Sequence, residues 1–519
     1  MKKNILFKRF SFYFLAFISA AAVFLVSSCS VTRRDPDSPP LYNDPEGLKA
    51  VDGDPDTYWV PRQEGAFTQI TFETPKIINV VEIIENYSVV RDYHIEAWID
   101  REWVKIYEND LIEGYYCAVV DEVETSALRL YIDRGRGARI KEFNAKYLSP
   151  VEYDREFVNM SYITQNQYYH DWVPAWYNSE MGEKTFSSLT DLYMLGVFRI
   201  NAAGEFVISL ENYGRDNSVI AVYPALSEQA EIILTGKDMS QLGPVGDEGY
   251  VFPENKKGML AGLKSVLGTS VPDLWFSLTI LSDTDFGGCS PYELDAFNDS
   301  DVRSDFISTV VEFAKKYGFS GVDIDWEYPG TDEAWKSYAC LIEDLSAALH
   351  AEGLLFSSAQ TWSFMNLSAE TLNKFDRINL MSYDQSGQTI TKHHSTYQVS
   401  TVQEIQKYLD YGISPEKLVL GLAYYSSPDQ TGWSTIFEQM QAELGPGEKI
   451  SLGENFFRHY TFNNVNLIRD RTLYAITQKI GGVFSWHICC DLPWDHYASL
   501  ARPQSETVRR FIKYIPVGE

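Results

Sequence analysis

The segment 318–330, Gly-Phe-Ser-Gly-Val-Asp-Ile-Asp-Trp-Glu-Tyr-Pro-Gly, constrains the fold of this chain more than any other stretch. Its side chains alternate with the period of two that is typical of a β-strand. One side carries Val322, Ile324 and Trp326, an apolar face that suits a strand covered by helices. The other side carries a row of three acidic residues: Asp323, Asp325 and Glu327.

This acidic row is costly for a strand. Successive carboxylates on one face lie about 7 Å apart, so three ionised groups would repel one another strongly. We therefore expect at least one of them to stay protonated near neutral pH. Such a row indicates chemistry rather than a solvated strand.

The segments on both sides of the row read as helices. Apolar residues recur with helical spacing over 302–317, and a second helical segment covers 334–350. Helix, buried strand and helix form the repeating unit of a parallel α/β sheet. In such folds the C-terminal ends of the strands carry the catalytic residues.

The segment closely resembles the catalytic signature of glycoside hydrolase family 18, written D-G-x-D-x-D-x-E. The resemblance implies a (β/α)8 TIM barrel with the signature on its fourth strand, as in the chitinases and endo-β-N-acetylglucosaminidases of that family. Ser320 stands where the signature usually has its first acid. We expect this departure to be tolerated, because the position is furthest from the catalytic end of the strand.

Seven further apolar runs resemble the other family strands in order, so residues 150–519 are predicted to form the barrel. They are 157–163, 192–198, 274–279, 354–359, 377–383, 418–423 and 482–486. One family motif is missing, since the third run has Ser277-Leu278-Thr279-Ile280 in place of S-x-G-G. We expect these larger side chains to change how a substrate fits.

Two more motifs add to the resemblance. Met381-Ser382-Tyr383-Asp384 resembles the family's M-x-Y-D, and Trp486 ends the eighth run, where the family has the tryptophan beneath the bound sugar. The resemblance implies that Glu327 is the general acid and then the base. Asp325 would orient the substrate's acetamido group, while Asp323 would share a proton with Asp325.

The remaining residues of the implied site contact the sugar. Tyr383 would hydrogen-bond the acetamide oxygen, Asp384 would help to hold the sugar, and Met381, Tyr328 and Trp486 would complete the binding surface. The implied reaction is retaining and substrate-assisted, with the acetamido group as nucleophile and no cofactor for catalysis. The expected partner is a glycan or chitooligosaccharide that contains N-acetylglucosamine.

Residues 41–149 have an all-β texture of short alternating runs separated by turns, which predicts a jelly-roll sandwich. The run 51–59 and the segments 93–96 and 138–143 resemble discoidin-type (factor 5/8 C-terminal) domains, many of which bind carbohydrate. The loop from Asp52 to Asp56 could supply oxygen ligands to a structural calcium ion, or could be only an acidic turn.

The first residues read as a targeting segment. Met1–Ser28 combines a basic start with an apolar core, and Val26-Ser27-Ser28-Cys29 resembles a bacterial lipobox. The resemblance implies lipidation at Cys29, a tether over 29–40, and an exported lipoprotein anchored in the cell envelope, at the outer membrane or cell surface. An ordinary signal peptide with a coincidental cysteine is the alternative.

Charge and loops limit the function further. A formal net charge of −28 argues against nucleic acid as a partner. Three functions stay open. A chitinase is favoured, because Trp326–Gly330 resembles the chitinase version of the signature. The others are an endo-β-N-acetylglucosaminidase that cuts N-glycans and a catalytically silent lectin, which would usually lack the acid present as Glu327. We expect the segment Asn201–Pro272 and the loops after Tyr383 to decide the substrate.

Overall fold

The structure is a computed structural model. It describes residues 37–87, 89–112, 114–164, 180–210, 219–226, 231, 234–235, 272–282, 287–361, 365–383, 397–445 and 448–516. The targeting segment Met1–Ser28, Cys29, Asp384 and most of Asn201–Pro272 lie outside this description. Pro39–Glu519 forms one compact unit, and Met1–Ser38 is a separate one. Within the described residues, no helix has both the length and the apolarity to cross a bilayer.

The N-terminal part of the compact unit is an antiparallel five-stranded sheet with the order β3-β2-β4-β1-β5. Tyr93, Ile95 and Ala97 are fully buried on one face of β2, as the alternation predicts. The predicted all-β N-terminal region is therefore confirmed. The strands are β1 (Ala66–Glu85), β2 (Asp92–Ile99), β3 (Glu102–Asn109), β4 (Tyr115–Arg134) and β5 (Ile140–Lys146).

Two of these strands are longer than the sequence suggests. The alternating runs 67–72 and 80–84 are both parts of β1, which pairs with β4 along most of its length. The pairing shifts register between Thr71 and Lys76, and Pro75 lies within that shift. Proline has no N–H to donate to a ladder, so it is accommodated at such an irregularity. The strand therefore continues past Pro75.

Two carboxylates of the loop before β1 accept hydrogen bonds within the loop. Asp52 Oδ1 accepts the backbone N–H of Asp54 at 3.0 Å, and Asp54 Oδ1 accepts that of Asp56 at 3.0 Å. Across the described part of the chain, no group of three or more His, Cys, Asp or Glu side chains is placed to hold a metal ion. The structural calcium ion in this loop stays a prediction.

Eight parallel strands form a closed barrel, which confirms the predicted (β/α)8 fold. Each predicted run overlaps one strand, and β7 closes the barrel by pairing with both β8 and β18. The barrel strands are β7 (Val158–Thr164), β8 (Asp191–Ile200), β11 (Asp273–Ile280), β12 (Gly321–Asp325), β13 (Leu355–Gln360), β14 (Arg377–Leu380), β15 (Leu418–Ala423) and β18 (Gly482–Trp486).

Shorter strands join other parts of the chain. Antiparallel β9 extends the sheet from the edge of β8, with β10 beyond it, and β6 pairs with β19 near the C-terminus. A small hairpin consists of β16 and β17. Their bounds are β6 (Val151–Tyr153), β9 (Phe206–Leu210), β10 (Val219–Val222), β16 (Phe456–Phe457), β17 (Tyr460–Thr461) and β19 (Ile512–Tyr514).

Helices cover the outside of the barrel and leave two apolar layers. Val322, Ile324 and Trp326 are buried in the outer layer, as expected for the apolar face of β12. A separate cluster fills the inside of the barrel. The helices are α1 (Glu180–Ser187), α2 (Ser300–Tyr317), α3 (Asp332–Ala351), α4 (Ala369–Leu372), α5 (Glu404–Tyr411), α6 (Trp433–Glu443), α7 (Val465–Thr477) and α8 (Ala501–Phe511).

Capping residues fix where the helices around β12 begin and end. The Asp299 side chain accepts the N–H groups of Asp301 and Val302 at the start of α2. Helix α2 ends at Gly318, whose φ of 72° is the left-handed conformation that glycine adopts easily. The Thr331 side chain caps α3 in turn. These signals place β12 between two helices with its C-terminal end at the barrel mouth.

Candidate active site

The acidic row lies along the axis of the barrel, from its interior to its mouth. Asp323 is fully buried, Asp325 is the last residue of β12 and partly buried, and Glu327 is exposed two residues further on. The strand is thus shorter than the segment whose alternation predicts it, because its ladder ends at Asp325. The three carboxyl groups therefore have very different access to solvent.

Four side chains from four other strands hold Asp323. Its Oδ2 accepts the Ser277 hydroxyl at 2.6 Å and the Tyr162 hydroxyl at 3.0 Å. Its Oδ1 accepts the Ser357 hydroxyl at 2.5 Å and the Asn379 amide at 3.3 Å. Burial raises the pKa of Asp323, and these hydrogen bonds oppose the rise. The carboxyl group is fixed in one orientation.

Asp325 is held much less firmly. Its Oδ1 is buried and has no hydrogen-bond partner among the described residues. Burial, then the charges of Glu327 and Asp323, raise the pKa of Asp325 well above its ordinary value, and the Arg199 guanidinium opposes this rise. A carboxyl group with such a pKa can carry a proton at neutral pH. Asp325, the residue that carries this open oxygen, is one of those that line a cavity.

A cation and a threonine lie beside Asp325 on neighbouring strands. Thr279 on β11 is in register with Asp325, and Arg199 on β8 is in register with Thr279. Arg199 Nη1 donates a hydrogen bond to Thr279 Oγ1. Thr279 and Ile280 occupy the end of the third barrel strand, where S-x-G-G is missing. The missing glycines are thus replaced by side chains that line the cavity.

The cavity at the barrel mouth has a volume of about 480 Å³. This is within the roughly 300–1,000 Å³ of sites that bind small ligands. Its polar lining residues include Arg199, Asp325 and Glu327. Aromatic rings form much of the remaining wall, a composition that suits the apolar faces and hydroxyl groups of sugar rings. These rings belong to Tyr162, Tyr328, Tyr383, Tyr425 and Trp486.

The family model for glycosyl hydrolases family 18 matches residues 286–491. This stretch runs from the end of the third barrel strand to just beyond the eighth. Residues 286–491 thus match a family 18 glycoside hydrolase domain.

Curated relatives match part of the chain and part of their own length. A Nod factor hydrolase from Medicago truncatula is 29% identical over 202 residues, which are 34% of this chain and 52% of that protein. A class V chitinase from the same plant is also 29% identical, over 34% of this chain and 55% of its own length. Chitinase 2 of Yersinia entomophaga is 26% identical over 46% of this chain and 49% of its length. The chain thus spans about half of each of these proteins.

Solved structures to which the chain is similar include a family 18 chitinase of Flavobacterium johnsoniae. It has 17% identity, a TM-score of 0.48, and coverage of 69% of this chain and 96% of its own. A chitinase of Bacteroides thetaiotaomicron has 18% identity, the same TM-score, and coverage of 68% and 96%.

The family 18 domain brings most of the predicted site residues to one place. Asp325, Glu327, Tyr328, Met381, Tyr383 and Trp486 all line the cavity, while Asp323 lies beneath it in the barrel interior. Strand β14 ends at Leu380, so Met381 and Tyr383 reach the cavity from the connection after the strand and not from the strand itself. Asp384 is not among the described residues.

Several residues of the family 18 cavity were not predicted from the sequence. Arg199, Tyr162, Tyr425 and Gln430 line it, and Tyr162 also holds Asp323. Arg199 had a detectable signal, because a lone arginine interrupts the apolar run Val197-Phe198-Arg199-Ile200 near the end of a predicted strand. Tyr425 and Gln430 follow the seventh strand in an irregular segment, where period and spacing give no indication of direction.

Proposed function

We propose that this protein hydrolyses β-1,4-linked N-acetylglucosamine with retention of configuration, as a chitinase, by using the substrate's own acetamido group as nucleophile. The observation that carries the proposal is that Asp325, whose buried Oδ1 has no partner among the described residues, lines the same cavity as Glu327. One carboxyl group is thus available to an acetamide while the other, exposed at the mouth, is available to a glycosidic oxygen. The match of residues 286–491 to family 18 supports this reading.

Glu327 is the proposed general acid. Because it lies at the mouth, it can protonate the oxygen of the leaving sugar and then remove a proton from the attacking water. Two proton transfers through one group return Glu327 to its starting state. The anomeric carbon meanwhile forms a bond to the acetamide oxygen, and this bond breaks when water attacks.

Asp325 and Tyr383 are the proposed partners of the acetamido group. The open oxygen of Asp325 would accept the acetamide N–H and stabilise the positive charge that develops on the oxazolinium ring. Tyr383 would donate to the acetamide oxygen from the facing wall. Asp323, fixed by four donors, would keep its position while a proton is shared with Asp325.

Trp486 is the proposed platform for the sugar ring. Its ring centroid lies 5.3 Å from that of Tyr162, so a second aromatic side chain supports it. Met381 and Tyr328 would contact the same sugar from the walls of the cavity, and Asp384 would help to hold it. No cofactor is proposed for the reaction.

Mass spectrometry of reaction products tests the proposal. Wild type and Glu327→Gln, both lacking Met1–Ser28, are given chitooligosaccharides and, separately, an intact N-glycoprotein. We expect wild type to shorten the chitooligosaccharides, and we expect the variant to be nearly inactive. A sugar that lacks the N-acetyl group but is cleaved at a comparable rate would contradict the acetamido mechanism.

An endo-β-N-acetylglucosaminidase is the second candidate. Thr279 and Ile280 line the cavity where the family motif has glycines, and this difference favours a substrate other than a plain chitin chain. Release of N-glycans that leaves one N-acetylglucosamine on asparagine would identify this activity. If neither substrate is cut and both proteins behave alike, a carbohydrate-binding lectin is the remaining reading.

We also propose that the protein is exported and anchored in the bacterial cell envelope through a lipid on Cys29. The basic start and apolar core of Met1–Ser28, followed by the lipobox-like Val26–Cys29, support this. Fractionation of cells that express wild type or Cys29→Ser tests the anchor. We expect the variant to leave the membrane fraction. Retention of Cys29→Ser in that fraction would rule the anchor out.

A further inference from the structure

Helix α7 (Val465–Thr477) touches two parts of the molecule through adjacent buried side chains. Asp470 and Arg471 are both fully buried. Since neighbouring residues on a helix point about 100° apart, the two side chains leave α7 in different directions. Asp470 meets the N-terminal sheet, and Arg471 meets the barrel strands beside the cavity.

The described donors to the Asp470 carboxylate all belong to the N-terminal sheet. Its Oδ1 accepts the backbone N–H of Val119 at 2.6 Å. Its Oδ2 accepts the hydroxyl of Tyr107 at 2.5 Å and that of Tyr116 at 2.7 Å. Burial raises the pKa of Asp470 to about 7. Removing a donor from a buried carboxyl group is costly, so the sheet and α7 are tightly joined.

Further contacts fix the first turn of α7 to the edge strand β3 (Glu102–Asn109). The Asn464 side-chain amide donates to Asn109 Oδ1 at 3.1 Å. The side-chain oxygen of Asn464 caps α7 by accepting the N–H of Leu467. The Asn466 amide donates to the Glu108 carbonyl at 2.8 Å. The helix is therefore held by the sheet at its start and at its middle.

Arg471 connects the helix to the ends of two barrel strands. Nη2 donates to the Gly421 carbonyl at 3.0 Å and lies 3.4 Å from Ser382 Oγ. Ser382 Oγ in turn donates to the same Gly421 carbonyl at 2.7 Å. Ser382 immediately precedes Tyr383, so the guanidinium holds the backbone from which the Tyr383 side chain enters the cavity.

The fit around Tyr383 is close. Gly421 has no side chain, and a Cβ there would lie 2.7 Å from Cε1 of Tyr383 and 2.4 Å from the Leu380 carbonyl oxygen. Such distances are too short for a carbon atom, so β15 and Tyr383 depend on this glycine to pack together. A shift of the Ser382–Gly421 contact would move the tyrosine ring.

A second path from the sheet reaches the same guanidinium. The Tyr116 ring lies 4.5 Å from the Tyr397 ring, centroid to centroid. The π-helical turn Gln398–Gln403 follows directly, and it supplies the Ser400 carbonyl at 3.0 Å and the Thr401 hydroxyl at 2.7 Å to Arg471. Tyr116 thus contacts Asp470, which precedes Arg471 in the helix, and Tyr397, which precedes the π-helical turn that binds Arg471.

The partners of Arg471 are unusual for a buried cation. Every described hydrogen bond of the Arg471 guanidinium has a neutral oxygen as its acceptor. Among the described residues, Arg471 forms no ion pair. Burial lowers the pKa of Arg471 to about 9. A buried cation without a counter-charge destabilises a fold, which argues for a role in keeping the strand ends in place.

Resting on the hydrolase function proposed above, we infer that Asp470 and Arg471 are positioning residues through which the N-terminal sheet holds Tyr383 in its catalytic orientation. On this inference the N-terminal sheet is a necessary part of the catalytic unit. It acts on the reaction even though its own residues do not line the cavity.

Matched variants of the full chain test the inference. Arg471→Met removes the guanidinium and keeps the chain length, while Arg377→Met does the same to a buried arginine at the opposite end of the barrel. The pair Tyr107→Phe with Tyr116→Phe removes two donors from Asp470. Its control is Tyr153→Phe, because the Tyr153 hydroxyl donates to the Ile476 carbonyl at the other end of α7.

The readouts are kcat and KM of the folded enzymes, and hydrogen exchange of the amides in 380–383 and 421–425. We expect Arg471→Met to lower kcat about 10- to 100-fold, since a displacement of about 1 Å in a site costs up to about 100-fold. Arg471→Lys should recover part of this loss, and the double tyrosine variant should lower kcat about tenfold. Faster exchange is expected in both segments. Neither change is expected in Tyr153→Phe, and kcat of Arg377→Met is expected to stay within twofold of wild type.

Two results would overturn the inference: a kcat for Arg471→Met within twofold of that for Arg377→Met, or unchanged exchange in 380–383. If Arg471→Met does not fold, Arg471→Lys and the double tyrosine variant decide by the same criteria. If wild type cuts no substrate, the proposed function fails, and the exchange measurement still decides whether the sheet holds these strand ends.

Discussion

The buried carboxyl groups at the two ends of the barrel differ in whether they have partners. At the N-terminal end, Arg377 Nη1 and Asp191 Oδ1 form a buried ion pair at 2.7 Å. The Trp275 indole also donates to that oxygen at 2.8 Å, and Thr190 donates to the other one at 2.6 Å. At the C-terminal end, the buried Oδ1 of Asp325 has no partner among the described residues. The first end is completed by the chain itself, while at the second we propose that a substrate supplies the missing partner.

Glu327→Gln should produce the largest difference between the two ends. General acid–base groups contribute roughly 10²- to 10⁴-fold to a rate, so we expect kcat to fall about 10³-fold on the cleaved substrate. Glu327 is exposed, and the free energy of unfolding should stay close to that of wild type. Steady-state kinetics and chemical denaturation measure the two quantities. A variant that keeps one tenth of the wild-type rate would remove Glu327 from its proposed role.

Arg377→Met should show the reverse pattern. The change leaves the Asp191 carboxylate buried without its cation, and breaking such a pair costs about 3–5 kcal/mol. It also removes the guanidinium that lies 4.7 Å from the Trp275 ring centroid. We expect a lower free energy of unfolding in denaturant, with kcat of the folded fraction within twofold of wild type. A large loss of kcat with normal stability would show that the two ends are not separate.

The variant Asp325→Asn tests the comparison through the pH dependence of stability. Burial and the charges of Glu327 and Asp323 raise the pKa of Asp325 in the folded protein, whereas an unfolded aspartate titrates near pH ~3.9. Above that value the folded state binds more protons at this group than the unfolded state, so its contribution to stability falls as pH rises. Asparagine cannot ionise, so the stability of the variant relative to wild type should increase from pH 4 to pH 8.

Denaturation at several pH values measures this difference. Asp191→Asn is a useful control, because that carboxylate has a cation beside it and its replacement should destabilise the protein. A difference between Asp325→Asn and wild type that does not change with pH would argue that Asp325 has no raised pKa.

The smallest expected effect concerns calcium at the loop from Asp52 to Asp56. Unlike the open oxygen of Asp325, Oδ1 of Asp52 and Oδ1 of Asp54 already accept backbone N–H groups, and the Thr57 hydroxyl lies 2.9 Å from Asp52 Oδ2. A ligand that binds only the folded state raises its stability. We expect millimolar calcium or a chelator to change Tm by less than about 1 °C. A clear rise in Tm with calcium would support a metal site in this loop.

The sequence predicted the barrel well because its strands are short, apolar and separated by helical segments. The acidic row on β12 and the order of the eight runs were enough to place Asp325, Glu327 and Trp486 near one another. Arg199, Tyr425 and Gln430 escaped prediction, since their closeness to Asp325 depends on strand register and on irregular connections. The contact of Asp470 with the N-terminal sheet joins residues more than three hundred positions apart, and no local pattern could indicate it.

Other expectations concern properties that no described contact tests. Sugar binding by residues 41–149 stays a prediction, as does the discoidin resemblance of that region. In the N-terminal sheet the runs 67–72 and 80–84 form one strand, because local propensity does not distinguish a bulge from a turn when both strands continue.

The four donors to Asp323 come from the first, third, fifth and sixth strands of the barrel, on residues 162, 277, 357 and 379. This carboxyl group acquires its full environment only after distant parts of the polypeptide have come together around it. Enzymatic turnover would therefore report closure of the barrel more stringently than helix content does. In a refolding experiment or a library of circular permutants, recovered activity would select chains whose whole ring of strands has assembled.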